Sequence, residues 1–159
     1  MNYRQIESKD NQRLAQIIRD NLKAHQLDIP GTVYFDDNLN YLSDFYLADP
    51  TKRDYIVMVD DKDDVIGGIG LAELDFMEQT AELQKLYIKS DYQGKGLSYE
   101  LVSKIEARAR QLGYKRMYLE THTNLSTAIH VYERTGYKLI DKPSAVVHSS
   151  MNRFYLKEL

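Results

Sequence analysis

Residues 82–88 read ELQKLYI, and residues 91–98 read Asp91-Tyr92-Gln93-Gly94-Lys95-Gly96-Leu97-Ser98. An apolar-rich run enters a turn that carries two glycines and a lysine. Beyond it, Leu97, Leu101, Ile105, Ala109 and Leu112 step by four, four, four and three, which makes one continuous stripe on a helix. Gly113 stands where a left-handed cap closes such a helix. The glycine turn therefore lies where a strand hands over to a helix. The first turn of a helix has N–H groups without intrahelical partners and a partial positive charge, and glycine lets an anion approach the backbone. An ordinary strand-to-helix turn shares this local signature, and a short Gly-x-Gly does not separate the two. The loop is not a Walker phosphate loop, because no Gly-Lys-Ser/Thr follows at the required spacing. It is not the dinucleotide fingerprint either, since Leu97-Ser98-Tyr99 replaces the last glycine.

Working outward, Arg116 to Glu120 reads as the next strand, Asn124 to Thr135 as a helix closed by Gly136, and Tyr137 to Ile140 as a strand. The tail from Arg153 to Leu159 alternates like a last strand. Upstream, Asn2 to Glu7 opens as a strand, and Ser8 or Asp10 caps a helix carrying Leu14, Ile17, Ile18 and Leu22. Pro30-Gly31 marks a loop, after which Leu39, Leu42, Phe45, Tyr46 and Leu47 suggest a second helix ending before Pro50. Tyr55 to Val59 and Val65 to Leu71, separated by a run of aspartates, form a hairpin pattern. Gly67, Gly68 and Gly70 permit a bulge or the close approach of another chain segment. The order is β-α-α-β-β-β-α-β-α-β-β. This is an α/β (α+β) chain with a mixed, largely antiparallel central sheet flanked by helices rather than a regular βαβ repeat.

The 159 residues fit a single domain, 1–159, with 43% apolar and 28% charged residues and three prolines. No apolar run reaches the ~18 to 20 residues that cross a bilayer, and MNYRQIESKD has no apolar signal core, so a cytoplasmic protein without a membrane partner is expected. Zero cysteines exclude disulfides, thiolate metal sites and a cysteine nucleophile. The net charge of −3 hides an asymmetry. Residues 36–64 hold nine aspartates against Lys52, Arg53 and Lys62, whereas residues 85–116 hold eight basic residues against three acidic ones. Such runs are solvated faces, or else a basic half for an anionic ligand and an acidic half for a cationic one. A pI near 5.8 and a split charge pattern do not make the continuous phosphate track of a nucleic-acid binder.

Asn124, Ala128 and Tyr132 stand at i, i+4 and i+8, so a helix through all three shows them on one face to an elongated ligand. Asn124 as a plain N-cap and Tyr132 as a core aromatic fit the same spacing. Taken together, AELQKLYI (81–88), YQGKGLSYEL (92–101) and GYKRMYLETHTNLSTAIHVYERTGYKLI (113–140) resemble the core of the GCN5-related N-acetyltransferases (GNAT superfamily), which use acetyl-CoA. The resemblance covers about sixty residues; the N-terminal half fits through its element order.

By that resemblance, Gln93, Gly94, Lys95, Gly96, Leu97 and Ser98 form the loop that binds the CoA pyrophosphate, with Ser98 departing from the usual Gly/Ala. The backbone of Leu86, Tyr87 and Ile88 meets pantetheine as a neighbouring strand would. Asn124 contacts the pantetheine region, Ala128 belongs to the same motif, and Tyr132 is the general acid that protonates the departing CoA thiolate. Glu82 aligns with the strand glutamate that serves some members as general base, directly or through water; an exposed strand glutamate is the alternative. His122 and His148 are rival bases or substrate contacts, or else structural or solvated residues. The resemblance implies an acetyl-CoA-dependent N-acetyltransferase without a metal, acting on a small-molecule or peptide primary amine by direct attack in a ternary complex. The acidic segment suggests that this acceptor is cationic. A non-catalytic acyl-CoA-binding regulatory module is the reading from another class, and a homodimer through the C-terminal strands is compatible with the family.

Overall fold

The computed structural model describes residues 1–159. Its elements are β1 (Asn2–Gln5), α1 (Asn11–Ala24), α2 (Leu42–Leu47), β2 (Asp54–Val59), β3 (Val65–Glu73), β4 (Thr80–Ile88), α3 (Leu97–Gln111), β5 (Arg116–Thr121), α4 (Ser126–Arg134), β6 (Lys138–Ile140) and β7 (Arg153–Glu158). All strands join one sheet in the order β1-β2-β3-β4-β5-β7-β6. Every neighbouring pair is antiparallel except β4 and β5. The fold class is thus the mixed, largely antiparallel sheet expected from the element order. No helix is long and apolar enough to cross a membrane.

Strand alternation divides the core between the two faces. Val57, Val59 and Val65 pack with Leu14, Ile17, Ile18 and Leu22 of α1 on one face. Met58, Leu71, Leu83 and Met117 pack with Leu101, Ile105 and Ala109 of α3 and Tyr132 of α4 on the other. The stripe read from α3 is therefore its buried face, with Leu97 and Leu112 half-buried at the ends.

Two helices begin later than their spacing suggests. Before α2, Asp37–Tyr41 is a 3-10 turn, because the Asp36 side chain accepts the Asn38 N–H and tightens the chain. α4 starts at Ser126. Asn124 is pulled out of helical register: its amide donates to the His25 carbonyl at 3.0 Å and its N–H donates to His122 Nδ1 at 3.0 Å. The expected helical face through Asn124, Ala128 and Tyr132 is thus corrected to Ala128 and Tyr132 alone.

The feature that positions the site is a bulge in β4. Gly70 pairs with Gln84 but Gly68 pairs with Tyr87, so Lys85 and Leu86 together oppose Ile69. Lys85 takes up the extra residue with φ +51, in the left-handed region. Gly68 and Gly70 are needed for space. A Cβ on Gly68 would meet the Tyr55 ring and stand 2.8 Å from the Ile56 carbonyl oxygen, and one on Gly70 would stand 2.7–2.8 Å from the Tyr55 and Tyr46 side chains. Those two tyrosines fill the room the glycines leave.

Candidate active site

β4 and β5 are paired only from Thr80–Arg116 to Glu82–Tyr118. Past Glu82 the strands separate, and the edge of β4 that faces β5 carries no strand partner from Leu83 to Ile88. An unpaired edge presents N–H and C=O groups to any extended ligand that carries amides. Between the strands lies a cavity of about 360 Å³, walled by Leu86, Tyr87 and Ile88 on one side and by Ala128, Val131 and Tyr132 on the other.

At the far end of β4 the glycine loop closes this cavity. Gly94 and Gly96 have φ +75 and +76, the left-handed conformation that alternates peptide N–H directions and forms a nest. The N–H groups of Gly94, Lys95, Gly96, Leu97 and Ser98 donate to no other backbone group. Together with the first turn of α3 they make a positive, donor-lined concavity. Gln93 fixes the loop rather than lining it with a free amide: its Nε2 donates to the Ile88 carbonyl at 2.8 Å and to Asn21 Oδ1 at 2.9 Å. Ser98 lines the cavity from the second position of α3, so serine in place of the usual small residue leaves the loop intact. Lys95 is exposed, its ammonium 5.2 Å from the centre of the Tyr92 ring, and is not part of the cavity wall.

Tyr132 is buried against Tyr137, with ring centres 5.9 Å apart, and borders the cavity. Its hydroxyl has no protein partner, yet it is not sealed off, since no buried side-chain oxygen or nitrogen goes unsatisfied. Burial, and secondarily the neighbouring Tyr87 phenol, push its pKa well above the ordinary tyrosine value. It is a protonated donor throughout the physiological range.

Glu82 stands at the fork itself. It is not an exposed strand glutamate: the residue is half-buried, and Gln84 Nε2 donates to its Oε1 at 3.2 Å. Gln84 in turn accepts the Tyr46 hydroxyl at 2.7 Å. Burial raises the Glu82 pKa and the Glu120 charge adds to that, while the Gln84 bond and Lys85 pull the other way. Glu82 and Asn124 lie outside the cavity wall, whereas Glu120 and Lys85 are part of it. Glu120 accepts the Tyr118 hydroxyl at 2.9 Å and the Ser149 hydroxyl at 2.9 Å. Neither Glu120 nor Lys85 stands out in the sequence as a site residue; the alternation Tyr118, Glu120 on a strand parallel to Glu82 is the signal that locates the former. His122 and His148 are not brought to the cavity, which His25 and His130 border instead.

The acidic segment does not form one face. Asp63 pairs with Arg4 at 2.9 Å and Lys9 at 2.5 Å, Asp54 pairs with Arg108 at 2.7 Å, and Asp60 accepts the N–H groups of Lys62 and Asp64. Asp36 acts instead at the fork, where its charge raises the Lys85 pKa against the effect of burial.

The cleft thus joins an anion nest to a cluster of carboxylates and an ammonium, with a phenol between them, the layout of an enzyme that presents a long anionic ligand to a second, polar one. The chain belongs to the acetyltransferase (GNAT) family, whose sequence profile matches residues 13–137. It is 35% identical over 140 residues to the uncharacterized N-acetyltransferase YjgM of Escherichia coli, covering 87% of this chain and 82% of that protein. Among solved structures, an acetyltransferase of the GNAT family from Staphylococcus aureus superposes with a TM-score of 0.84 at 20% identity, covering 99% of this chain and 98% of the other. YncA from Salmonella typhimurium, solved with acetyl-CoA and described as an acetyltransferase, gives 0.76 at 18% identity over 99% and 93% of the two chains.

Proposed function

We propose that residues 1–159 act as one acetyltransferase domain that moves the acetyl group of acetyl-CoA to a primary amine by direct attack in a ternary complex. The residues fit the donor. The nest from Gly94 to Ser98 suits a pyrophosphate, and the free edge of β4 suits the amides of pantetheine. Bound there, acetyl-CoA supplies an acyl group already activated as a thioester.

The observation that carries the reading is the Tyr132 hydroxyl, unpartnered and open to the cavity between the nest and the Glu82–Glu120 cluster. Glu82, directly or through water, takes a proton from the acceptor nitrogen as the new C–N bond forms. As the C–S bond breaks, Tyr132 donates toward the sulfur. Its phenol lies above the ~8.5 of a thiol, so full transfer runs uphill. Tyr132 therefore helps by a hydrogen bond that strengthens as charge gathers on sulfur, and the departing thiolate takes its proton from solvent. Holding both reactants aligned contributes more, roughly 7 to 11 kcal/mol of the barrier.

Removing the hydroxyl isolates this role. Tyr132→Phe is expected to lower kcat about 10²-fold, the lower end for acid–base assistance, with acetyl-CoA affinity by calorimetry within twofold. Equal turnover in the variant would remove Tyr132 from the chemistry.

A further inference from the structure

Two features of Lys85 oppose stability. Its φ of +51 is a conformation that glycine or asparagine adopts with less strain. Its side chain is half-buried in the cavity wall, and its ammonium makes neither a hydrogen bond nor an ion pair; because no sealed side-chain nitrogen goes unpartnered, that ammonium is open to the cavity. The nearest charges are the carboxylates of Glu82 and Asp36, both beyond ion-pair distance, and the Tyr46 ring centre lies 6.0 Å away. Burial lowers the pKa of the ammonium, against the pull of those two carboxylates. Backbone strain and an unpaired charge facing a cavity, together at one residue, mark a position that a ligand completes.

The surroundings say which ligand. Tyr46, Glu82, Gln84 and Asp36 lie on the α1–α2 side of the sheet, whereas the nest and Tyr132 open on the α3–α4 side, where the pyrophosphate is accounted for by free N–H groups. Lys85 therefore meets the acceptor. Around it, Glu82 and Glu120 supply negative charge for an amine, and Lys85 supplies one positive charge that nothing in the protein neutralises by contact. A simple polyamine would be repelled by that ammonium; a molecule bearing both an amine and a nearby carboxylate satisfies both signs.

We propose that Lys85 binds the carboxylate of the acceptor, so that the acceptor is a small amino acid whose amino group points toward Glu82 and Glu120. This rests on the acetyltransferase reading of the same cleft.

The test measures thiol release from acetyl-CoA by the full chain, using matched pairs: each common amino acid against the amine formed by its decarboxylation. For at least one pair, kcat/KM is expected to be tenfold or more higher for the amino acid. Lys85→Met should collapse that ratio to near one through loss on the amino-acid side, and Lys85→Arg should keep part of it. Removing the partly buried, unpaired charge predicts that Lys85→Met melts no lower than the parent chain, the backbone strain at this position being unchanged. Three results would overturn the inference. A parent enzyme that prefers the decarboxylated amines removes it and leaves the acetyltransferase reading standing. Equal losses on both members of a pair in Lys85→Met reduce Lys85 to a structural residue. No thiol release with any amine or amino acid removes the transfer reading and the inference together.

Discussion

The Tyr55 hydroxyl donates to the Lys85 carbonyl at 2.9 Å, from a ring that occupies the space above Gly68 and Gly70. One buried side chain on β2 thereby holds the bulge on β4, two strands away, and with it the fork in which the cavity lies. The fork is thus a packed feature of the core rather than a loose end of two strands.

Substitutions along this line should unseat the bulge. Tyr55→Phe leaves the Lys85 carbonyl without its donor and is expected to cost about 1 to 3 kcal/mol. In Gly68→Ala the new methyl meets both the Tyr55 ring and the Ile56 backbone oxygen, and backbone cannot give way, so about 3 kcal/mol is expected. At this chain length each kcal/mol lowers Tm by roughly 2 to 4 °C, which a calorimetric melt resolves. An unchanged Tm in Gly68→Ala would mean the glycines serve some other purpose.

Gln93 and Asn21 form a staple between the nest and α1 through their mutual 2.9 Å bond and their shared acceptor, the Ile88 carbonyl. Losing one neutral hydrogen bond is worth about 1 kcal/mol, or about fivefold in affinity. Gln93→Ala and Asn21→Ala are each expected to raise the Kd for acetyl-CoA about fivefold. Because they break the same contact, the double variant should fall well short of the product of the two effects. Full additivity in the calorimetric titration would deny the staple.

Ser98 contributes a hydroxyl where a glycine or alanine would contribute none. It lines the cavity next to the free N–H groups, so Ser98→Ala should weaken acetyl-CoA binding by two- to tenfold, the range of one net hydrogen bond, without moving Tm. Unaltered binding would make the serine a neutral replacement.

What the sequence made legible was what short segments decide alone. The spacing of Leu101, Ile105 and Ala109 needs only helical periodicity, and Gly94 and Gly96 are demanded by local backbone angles. The run Leu83 to Tyr87, by contrast, reads as an uninterrupted strand; only its pairing with β3 reveals the extra residue and turns Lys85 into the cavity. Asn124 has perfect helical spacing to Ala128, and a bond to His25, distant in sequence, overrides it. The acidic run illustrates the same limit: neighbours in sequence are sent to Arg4, Lys9 and Arg108 in three dimensions, and the charge that matters at the fork comes from Glu82 and Glu120.

The raised pKa of Glu82 ties activity and stability to the same titration. Its causes are burial first and Glu120 second, opposed by Gln84 and Lys85, with the Tyr46 and Tyr118 phenols nearby. As general base it must be ionised, so kcat/KM for the acceptor should fall with decreasing pH at a point above the ~4.3 of a free glutamate. This limb is separate from the one set by the acceptor's own ammonium at higher pH. Glu120→Gln removes the repulsion and should move the limb downward; Glu82→Gln should abolish it and lower the rate about 10²-fold. The sign for stability is opposite. A carboxyl whose pKa is raised by folding binds its proton more tightly in the native state, so the fold loses stability as pH rises from the unfolded pKa to the native one. Glu82→Gln is therefore expected to melt higher than the parent chain at pH 7, with the gain shrinking as pH falls and vanishing below about 4. A variant that is less active yet more stable at neutral pH is what a base held in a desolvated site requires. Retention of the acidic limb in Glu82→Gln would assign the base to another group.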